Sequence, residues 1–157
     1  AGAHSVAIGL LTADGFVDMD ACGKLADVAR TAGLEVAFLR TFDLLTDRRR
    51  GMLDLSTLCM KRVVTAGVLG WDASASTLEQ RIAVLAEDAR NAEDFAISGK
   101  CVVEIIPGGG VRATNARDFM QVSPHLHASC RRGGKINCDE LEELKIQMTL
   151  AITSPMK

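Results

Sequence analysis

The chain has 157 residues, of which 48% are hydrophobic and 24% are charged, and its formal net charge at pH 7 is −2. This composition predicts one ordered domain over residues 1–157 and excludes a disordered linker or tail. Basic residues are spread along the chain, and no apolar run reaches the ~18 residues that cross a bilayer. We therefore expect neither nucleic acid nor a membrane as a partner.

Five short apolar segments alternate with segments of helical period. Strands are predicted at residues 5–11, 35–40, 62–66, 101–106 and 125–128. Helices are predicted at residues 19–32, 46–58, 114–121 and 139–152, with one more that starts at Ser76 or Thr77. Near-continuous hydrophobic strands are typical of a parallel sheet that is buried on both faces. The alternation fits an open doubly wound sheet or part of a closed barrel, and the length favours the open sheet, since a barrel usually needs about 250 residues.

Local signals mark the ends of these helices. Asp18 can cap the first helix and Gly33 can end it. Thr77 can start the third helix, with Glu79 beginning the return of a capping box. Helical spacing predicts which apolar residues of the third and last helices face the core: Leu78, Ile82, Leu85 and Ala89, then Leu141, Leu144, Ile146, Met148 and Ile152.

The five cysteines form no C-x-x-C pair, and this argues against a zinc ribbon, a redox motif or a disulfide framework. The first residues carry no signal-peptide pattern. We therefore expect reduced thiols in a cytoplasmic protein, with Cys22, Cys59 and Cys101 filling the core.

Three glycines, Gly108, Gly109 and Gly110, directly follow the fourth predicted strand. Backbone N–H groups in such a loop can converge on an anion without interference from Cβ atoms. The helix that follows would point its positive end at the same place. The alternative is a tight turn that only needs glycine. We predict a phosphate or carboxylate site, because one glycine would be enough for the turn.

Two other strand ends carry polar candidates. Arg40 and Asp43 follow the second strand, either as a structural ion pair or as a clamp for an anionic substrate. Thr65 and Gly67 end the third strand and resemble a ligand-facing turn. The only tryptophan, Trp71, comes shortly after and is expected to cover an edge of the core.

The last predicted strand leads into His127, Ser129 and Cys130, which would lie at the rim beside the glycine loop if strand order follows the sequence. Imidazole and thiolate suit copper or zinc, and a thiolate favours Cu(I). His127 could equally be a hydrogen-bonded core residue. His127 and Asp43 are also the candidates for a general base.

Five segments resemble motifs of the CutC family, in the same order and at similar spacing. They are residues 9–15 (GLLTADG for the family's G-V-L-T-x-D-G), 38–43 (FLRTFD for F-H-R-A-F-D), 62–67 (RVVTAG for R-V-L-T-S-G), 107–111 (PGGGV for P-G-G-G-I) and 127–130 (HASC for H-x-S-A). The chain departs from this pattern in three places, one of which is the long loop after the last strand, here cut to about eight residues, 131–138. Leu39 stands where the family has histidine, and Cys130 stands where it has a small residue.

The resemblance implies an α/β fold of the (β/α)8 TIM-barrel type, of which this chain would supply about five strand–helix units. Family members carry roughly three more units before this point. An incomplete barrel has two open strand edges, so we expect self-association if the chain is this short.

Three functions stay open at this point, and the residues alone do not decide whether the chain is an enzyme. The resemblance implies copper homeostasis, with copper as the bound ion and His127 and Cys130 as candidate ligands. The second is a barrel enzyme for a small phosphorylated or carboxylated metabolite. Its ligand contacts would be Arg40, Thr65, Gly67, Gly108, Gly109, Gly110 and Ser129, and its catalytic candidates Arg40, Asp43 and His127. The third is an inactive, truncated remnant.

Overall fold

A computed structural model of the chain describes residues 2–153. Four short strands form one parallel sheet in the order β1-β2-β3-β4, and they span Ser5–Ile8, Glu35–Phe38, Arg62–Thr65 and Glu104–Pro107. The order follows the sequence without reversal. A doubly wound sheet reverses its order at a switch point, whereas a barrel does not. The fold is therefore α/β and a sector of a (β/α)8 barrel, and the preference for an open sheet based on length is wrong.

Helices follow the strands as the periodicity predicts. Asp18 caps the first by accepting from the Ala21 N–H at 2.9 Å, and Gly33 follows its end with a φ of 73°. The capping box of the third helix pairs Thr77 with Gln80 rather than with Glu79, because the third residue after the cap is the one whose side chain can reach back. The helices are α1 Met19–Thr31, α2 Arg48–Thr57, α3 Leu78–Ile97, α4 Ala116–Phe119 and α5 Cys138–Thr153, and the 3-10 turns are Arg40–Leu44 and Ala73–Ala75.

The sheet has one buried face and one open face, whereas the apolar strands predicted burial on both. Val36, Phe38 and Val63 point into the core under the helices and are at most 2% exposed. Alternate residues on the other face carry an ion-pair ladder, in which Arg62 lies 2.8 Å from the Glu35 carboxylate and 2.9 Å from that of Glu104. These side chains are 38–46% exposed, whereas Ile106, farther along the same face, is 7% exposed, so this face is open at the start of the strands and closes toward their ends.

The predicted fifth strand at residues 125–128 is wrong. A single backbone hydrogen bond, from the His127 N–H to the Pro107 carbonyl at 2.9 Å, joins this segment to β4. The segment lies at the sheet edge with no described neighbour on its other side, and Pro124, just before it, has no N–H to donate. Residues 131–138, expected as a plain loop, contain a small hairpin of two strands, β5 Arg131–Arg132 and β6 Lys135–Ile136.

The last helix buries less than its pattern predicts. Leu144 is 5% exposed, but Leu141, Ile146 and Ile152 are 37–68% exposed. α5 packs against the single-turn helix α4, and because α4 is so short, a narrow stripe of apolar residues on α5 is enough to form the contact. None of the helices within residues 2–153 has the length and apolar character needed to cross a bilayer.

The prediction that all five thiols are reduced is wrong for two of them. Cys59 and Cys101 form a disulfide that joins the segment after α2 to the segment before β4. No local sequence signal predicts this pairing, because the partners are 42 residues apart and no motif links them. Cys22, Cys130 and Cys138 are free, and Cys22 lies in the core as predicted.

The open edge of β1 leads us to predict that the chain self-associates. Among residues 2–153, β1 has a strand neighbour on one side only, and α1 beside it exposes Leu25 and Val28 by 45% and 70%. Val28→Glu should therefore raise the monomer fraction in size-exclusion chromatography with light scattering. Ile136→Glu, at an equally exposed apolar residue in the hairpin, is the matched control and should leave the distribution unchanged. A wild-type chain that stays monomeric at every concentration would contradict the prediction.

Candidate functional site

A buried carboxylate organises the carboxyl end of the sheet. Asp43 lies in the 3-10 turn after β2 and is 1% exposed. It accepts hydrogen bonds from Arg40 Nε at 2.9 Å, Thr65 Oγ1 at 2.6 Å and the Ala66 N–H at 3.0 Å, and Arg48 Nη1 lies 3.4 Å away. Asp43 thus ties the segment after β2 to the end of β3. A carboxylate so enclosed is an anchor rather than a group that a substrate could reach.

Arg48 is the second half of this anchor. It donates to both oxygens of Asp88 on α3, at 3.2 Å and 2.5 Å, and also to Thr65 Oγ1 and the Val68 carbonyl. Burial raises the pKa of Asp88, and the hydrogen bonds from Arg48 oppose that shift. Each nitrogen of the Arg48 guanidinium has an acceptor, so this arginine is structural. Three consecutive arginines occupy positions 48–50, and because such a run in a helix is ordinarily solvated, the sequence does not single out Arg48 as buried.

Arg40 uses two of its nitrogens inside the protein and leaves the third open. Nε donates to Asp43, and Nη2 donates to the Trp71 carbonyl at 2.9 Å. The guanidinium also lies 4.9 Å from the centre of the Trp71 ring, so this tryptophan, 61% exposed, stacks on Arg40 instead of covering the core. Within residues 2–153, Nη1 has no hydrogen-bond acceptor. Arg40 can therefore be both the structural partner of Asp43 and a clamp for an anionic substrate, since it is paired with Asp43 and still has a free donor.

A further arginine, which the sequence analysis did not single out, lies beneath the glycine loop. Arg81 of α3 donates through Nε to the Ala66 carbonyl at 2.7 Å, and through Nη2 to the carbonyls of Gly108 at 3.0 Å and Gly109 at 2.7 Å. The side chain is 6% exposed, and burial lowers its pKa, as does the charge of nearby Arg40. The sequence did contain a signal that Arg81 is buried, because helical spacing places residues 78, 81, 85 and 88 on one face of α3, and this face includes core positions.

Each glycine of the loop has a structural reason to be glycine. A Cβ on Gly108 would lie 2.8 Å from Val64 Cγ1, and Gly109 and Gly110 have φ angles of 66° and 85°. The argument that one glycine would be enough for a turn therefore fails. A helix N-terminus does not assist this loop either, because α4 is one turn long and begins at Ala116. The predicted anion site would therefore depend on side chains as much as on the backbone.

Two of the remaining predicted site residues are engaged in internal contacts. Thr65 is fully buried, donates to Asp43 and accepts from Arg48 and from the Gly67 N–H at 3.1 Å. Gly67 has a φ of 69° and lies against the Arg81 backbone. Their contact with a ligand stays a prediction.

The predicted metal ligands lie in different environments. His127 is exposed, and its Cβ lies 3.5 Å from the place where a Cβ on Gly108 would be, so it is at the rim beside the glycine loop as expected. Ser129 is exposed as well, whereas Cys130 is 6% exposed and belongs to the core. Residues 2–153 contain no group of three or more His, Cys, Asp or Glu side chains that could hold a metal ion.

Comparison with known proteins identifies the family. The model of the CutC family matches residues 1–132. The chain belongs to the CutC family. A CutC family protein of Vibrio atlanticus is 34% identical over 131 residues, which is 82% of this chain and 48% of the relative. One from Histophilus somni is 33% identical over 132 residues, or 83% of this chain and 48% of the relative.

A solved structure gives the same fold. The crystal structure of the putative copper homeostasis protein CutC from Streptococcus agalactiae superimposes with a TM-score of 0.62 at 23% identity, covering 85% of this chain and 57% of that one. This likeness supports the CutC barrel architecture and not a shared activity. The chain spans about half the length of the curated CutC relatives.

The buried network gives a prediction with an internal control. Arg48→Met would leave the buried carboxylates of Asp43 and Asp88 without their shared cation, and should lower the free energy of unfolding by about 3–5 kcal/mol. Arg62→Met removes an arginine that also bridges two carboxylates, but at the exposed ladder, and should cost less than about 1 kcal/mol. Urea denaturation followed by circular dichroism measures both. Equal losses for the two variants would show that the Arg48 network is not the anchor.

Proposed function

We propose that this chain takes part in copper homeostasis as part of a CutC barrel, and that it does so by binding a small anionic ligand at the carboxyl end of the sheet. Copper homeostasis is the role in the name of the Streptococcus agalactiae relative. The anionic ligand is our inference from Arg40, whose Nη1 has no acceptor within the described residues and lies against Gly109.

The balance of charge supports an anion. Around the loop, the guanidinium groups of Arg40, Arg48 and Arg81 are accompanied by the carboxylates of Asp43 and Asp88. The buried groups of this cluster therefore carry one positive charge in excess, while Glu87, whose charge acts on Asp88, is exposed to solvent. A half-buried excess charge favours the binding of a counter-ion, because the low local dielectric strengthens its field. If the ligand reacts, His127 is the nearby group that could accept a proton, since the carboxylate of Asp43 is enclosed.

The anion site can be tested with the only tryptophan as the reporter. Binding of inorganic phosphate at Arg40 should change the fluorescence of Trp71, because the guanidinium stacks on that ring. Arg40→Met should weaken phosphate binding at least tenfold, as expected for the loss of a charge-assisted contact worth about 1.5–3 kcal/mol.

The matched control is Arg50→Met. Arg50 is an exposed arginine that stacks on Phe16, and its loss removes the same charge without touching the loop. It should bind phosphate like the wild type. If isothermal titration calorimetry finds equal affinities for wild type and Arg40→Met, Arg40 is not the clamp.

Direct binding of Cu(I) is the second candidate, and the exposure of His127 at the rim favours it. It requires His127 and Cys130 as ligands, so His127→Ala and Cys130→Ala should each weaken Cu(I) binding in a competition titration. Cys138→Ala, at the exposed free thiol, is the control. If only Cys138→Ala weakens Cu(I) binding, His127 and Cys130 are not copper ligands. An inactive remnant, the third alternative, predicts that neither copper nor anions bind.

We propose the cytoplasm as the location, because Cu(I) and the three free thiols suit a reducing compartment. The Cys59–Cys101 disulfide is the feature that argues against it.

A further inference from the structure

Two arginines each turn one unused nitrogen toward the same glycine loop. A Cβ on Gly109 would lie 3.0 Å from Arg40 Nη1, and a Cβ on Gly110 would lie 3.8 Å from Arg81 Nη1. In both side chains Nε and Nη2 donate to protein acceptors, and Nη1 has no acceptor among residues 2–153. The two free donors therefore flank consecutive residues of one loop.

The two side chains arrive from different elements. Arg40 begins the 3-10 turn after β2, whereas Arg81 rises from α3 below the loop and is 6% exposed. Their charges repel, and the presence of Arg40 is one cause of the lowered pKa of Arg81. Asp43 is paired with Arg40, but the described residues place no carboxylate in hydrogen-bond contact with Arg81. Three backbone carbonyls, the Phe119 ring at 4.8 Å and the more distant charge of Asp43 stabilise Arg81. An anion at its free Nη1 would add the direct ion pair that this buried guanidinium lacks.

The backbone adds further donors at the same place. The N–H of Gly108 donates to the Thr65 carbonyl at 2.8 Å and so belongs to the sheet. Within residues 2–153, the N–H groups of Gly109 and Gly110 have no hydrogen-bond acceptor. The loop thus offers two backbone donors next to the two arginine nitrogens.

We propose that Arg40 and Arg81 together bind the phosphate group of a phosphorylated small molecule over Gly109 and Gly110. The inference rests on the proposed function and narrows its ligand class from anions in general to phosphate esters. A planar carboxylate pairs best with two nitrogens of one guanidinium fork. In Arg40 and Arg81 the other nitrogens of the fork are already engaged. Single donors from separate directions fit the separate oxygens of a tetrahedral phosphate.

The test compares inorganic phosphate and acetate as probes on the whole chain, at pH 7.5 and constant ionic strength, with Trp71 fluorescence and calorimetry as readouts. We expect phosphate to bind at least tenfold more tightly than acetate. Arg81→Lys keeps the charge, but one ammonium group cannot hold the carbonyls of Gly108 and Gly109 and also donate to the ligand. This variant should reduce phosphate affinity about tenfold and acetate affinity by less. Arg49→Lys is the control, since Arg49 donates to Asn91 away from the loop.

The possible results distinguish the proposal of a phosphate ligand from the more general proposal of an anion site. If acetate binds as tightly as phosphate, the phosphate assignment is wrong and the anion site stands. If neither probe binds, the anion site itself is wrong. Should Arg81→Lys fail to fold by circular dichroism, the comparison of the two probes on the wild-type chain still decides the ligand class.

Discussion

The ion pair between Asp43 and Arg40 is the interaction on which the rest of this end of the molecule depends. An ionised carboxylate buried to 1% exposure is stable only when its oxygens are hydrogen-bonded and its charge is balanced. Arg40, Thr65 and the Ala66 N–H provide those contacts, and they come from the segments that follow two neighbouring strands. Satisfying one carboxylate therefore sets the relative position of both segments.

The ion pair with Asp43 also fixes the orientation of the Arg40 guanidinium. Because Asp43 holds Nε and the Trp71 carbonyl holds Nη2, the guanidinium has one orientation, with Nη1 toward the glycine loop. Arg81 fixes the loop itself from below by donating to the carbonyls of Gly108 and Gly109. Donors held in place before a ligand arrives need little reordering when it binds, and this is the physical basis of a preorganised site.

Much of the fold could be predicted from the sequence, because the strands and long helices have strong periodic signals. The four paired strands, the caps at Asp18 and Thr77 and the rim position of His127 all follow from local pattern and chain order. The closed-barrel order of the strands did not follow from the pattern and needed the family motifs. The prediction of a fifth strand was wrong because residues 125–128 make only one backbone hydrogen bond to β4 within the described residues, and Pro124 before them has no N–H to donate.

The candidate site was predicted only in part. Arg40, Asp43 and the glycine loop were found because they follow strands directly. Arg48, Arg81 and Asp88 were missed because a charged residue in a helix is ordinarily solvated. For Arg81 and Asp88 the helical spacing, which places them on one face with the core residues of α3, was a signal of burial, whereas for Arg48 only the tertiary contacts show it. The Cys59–Cys101 pair was missed for the same reason, since contact between residues 42 positions apart is not written in any local pattern.

The most direct measurement of the central claim is the phosphate affinity of Asp43→Asn, followed by Trp71 fluorescence on the folded chain. The amide has no charge to hold Arg40, so this account predicts a changed Trp71 emission before any ligand is added and a phosphate affinity at least tenfold weaker. An Asp43→Asn chain that is folded and binds phosphate as the wild type does would contradict the claim that this carboxylate positions Arg40 for the ligand.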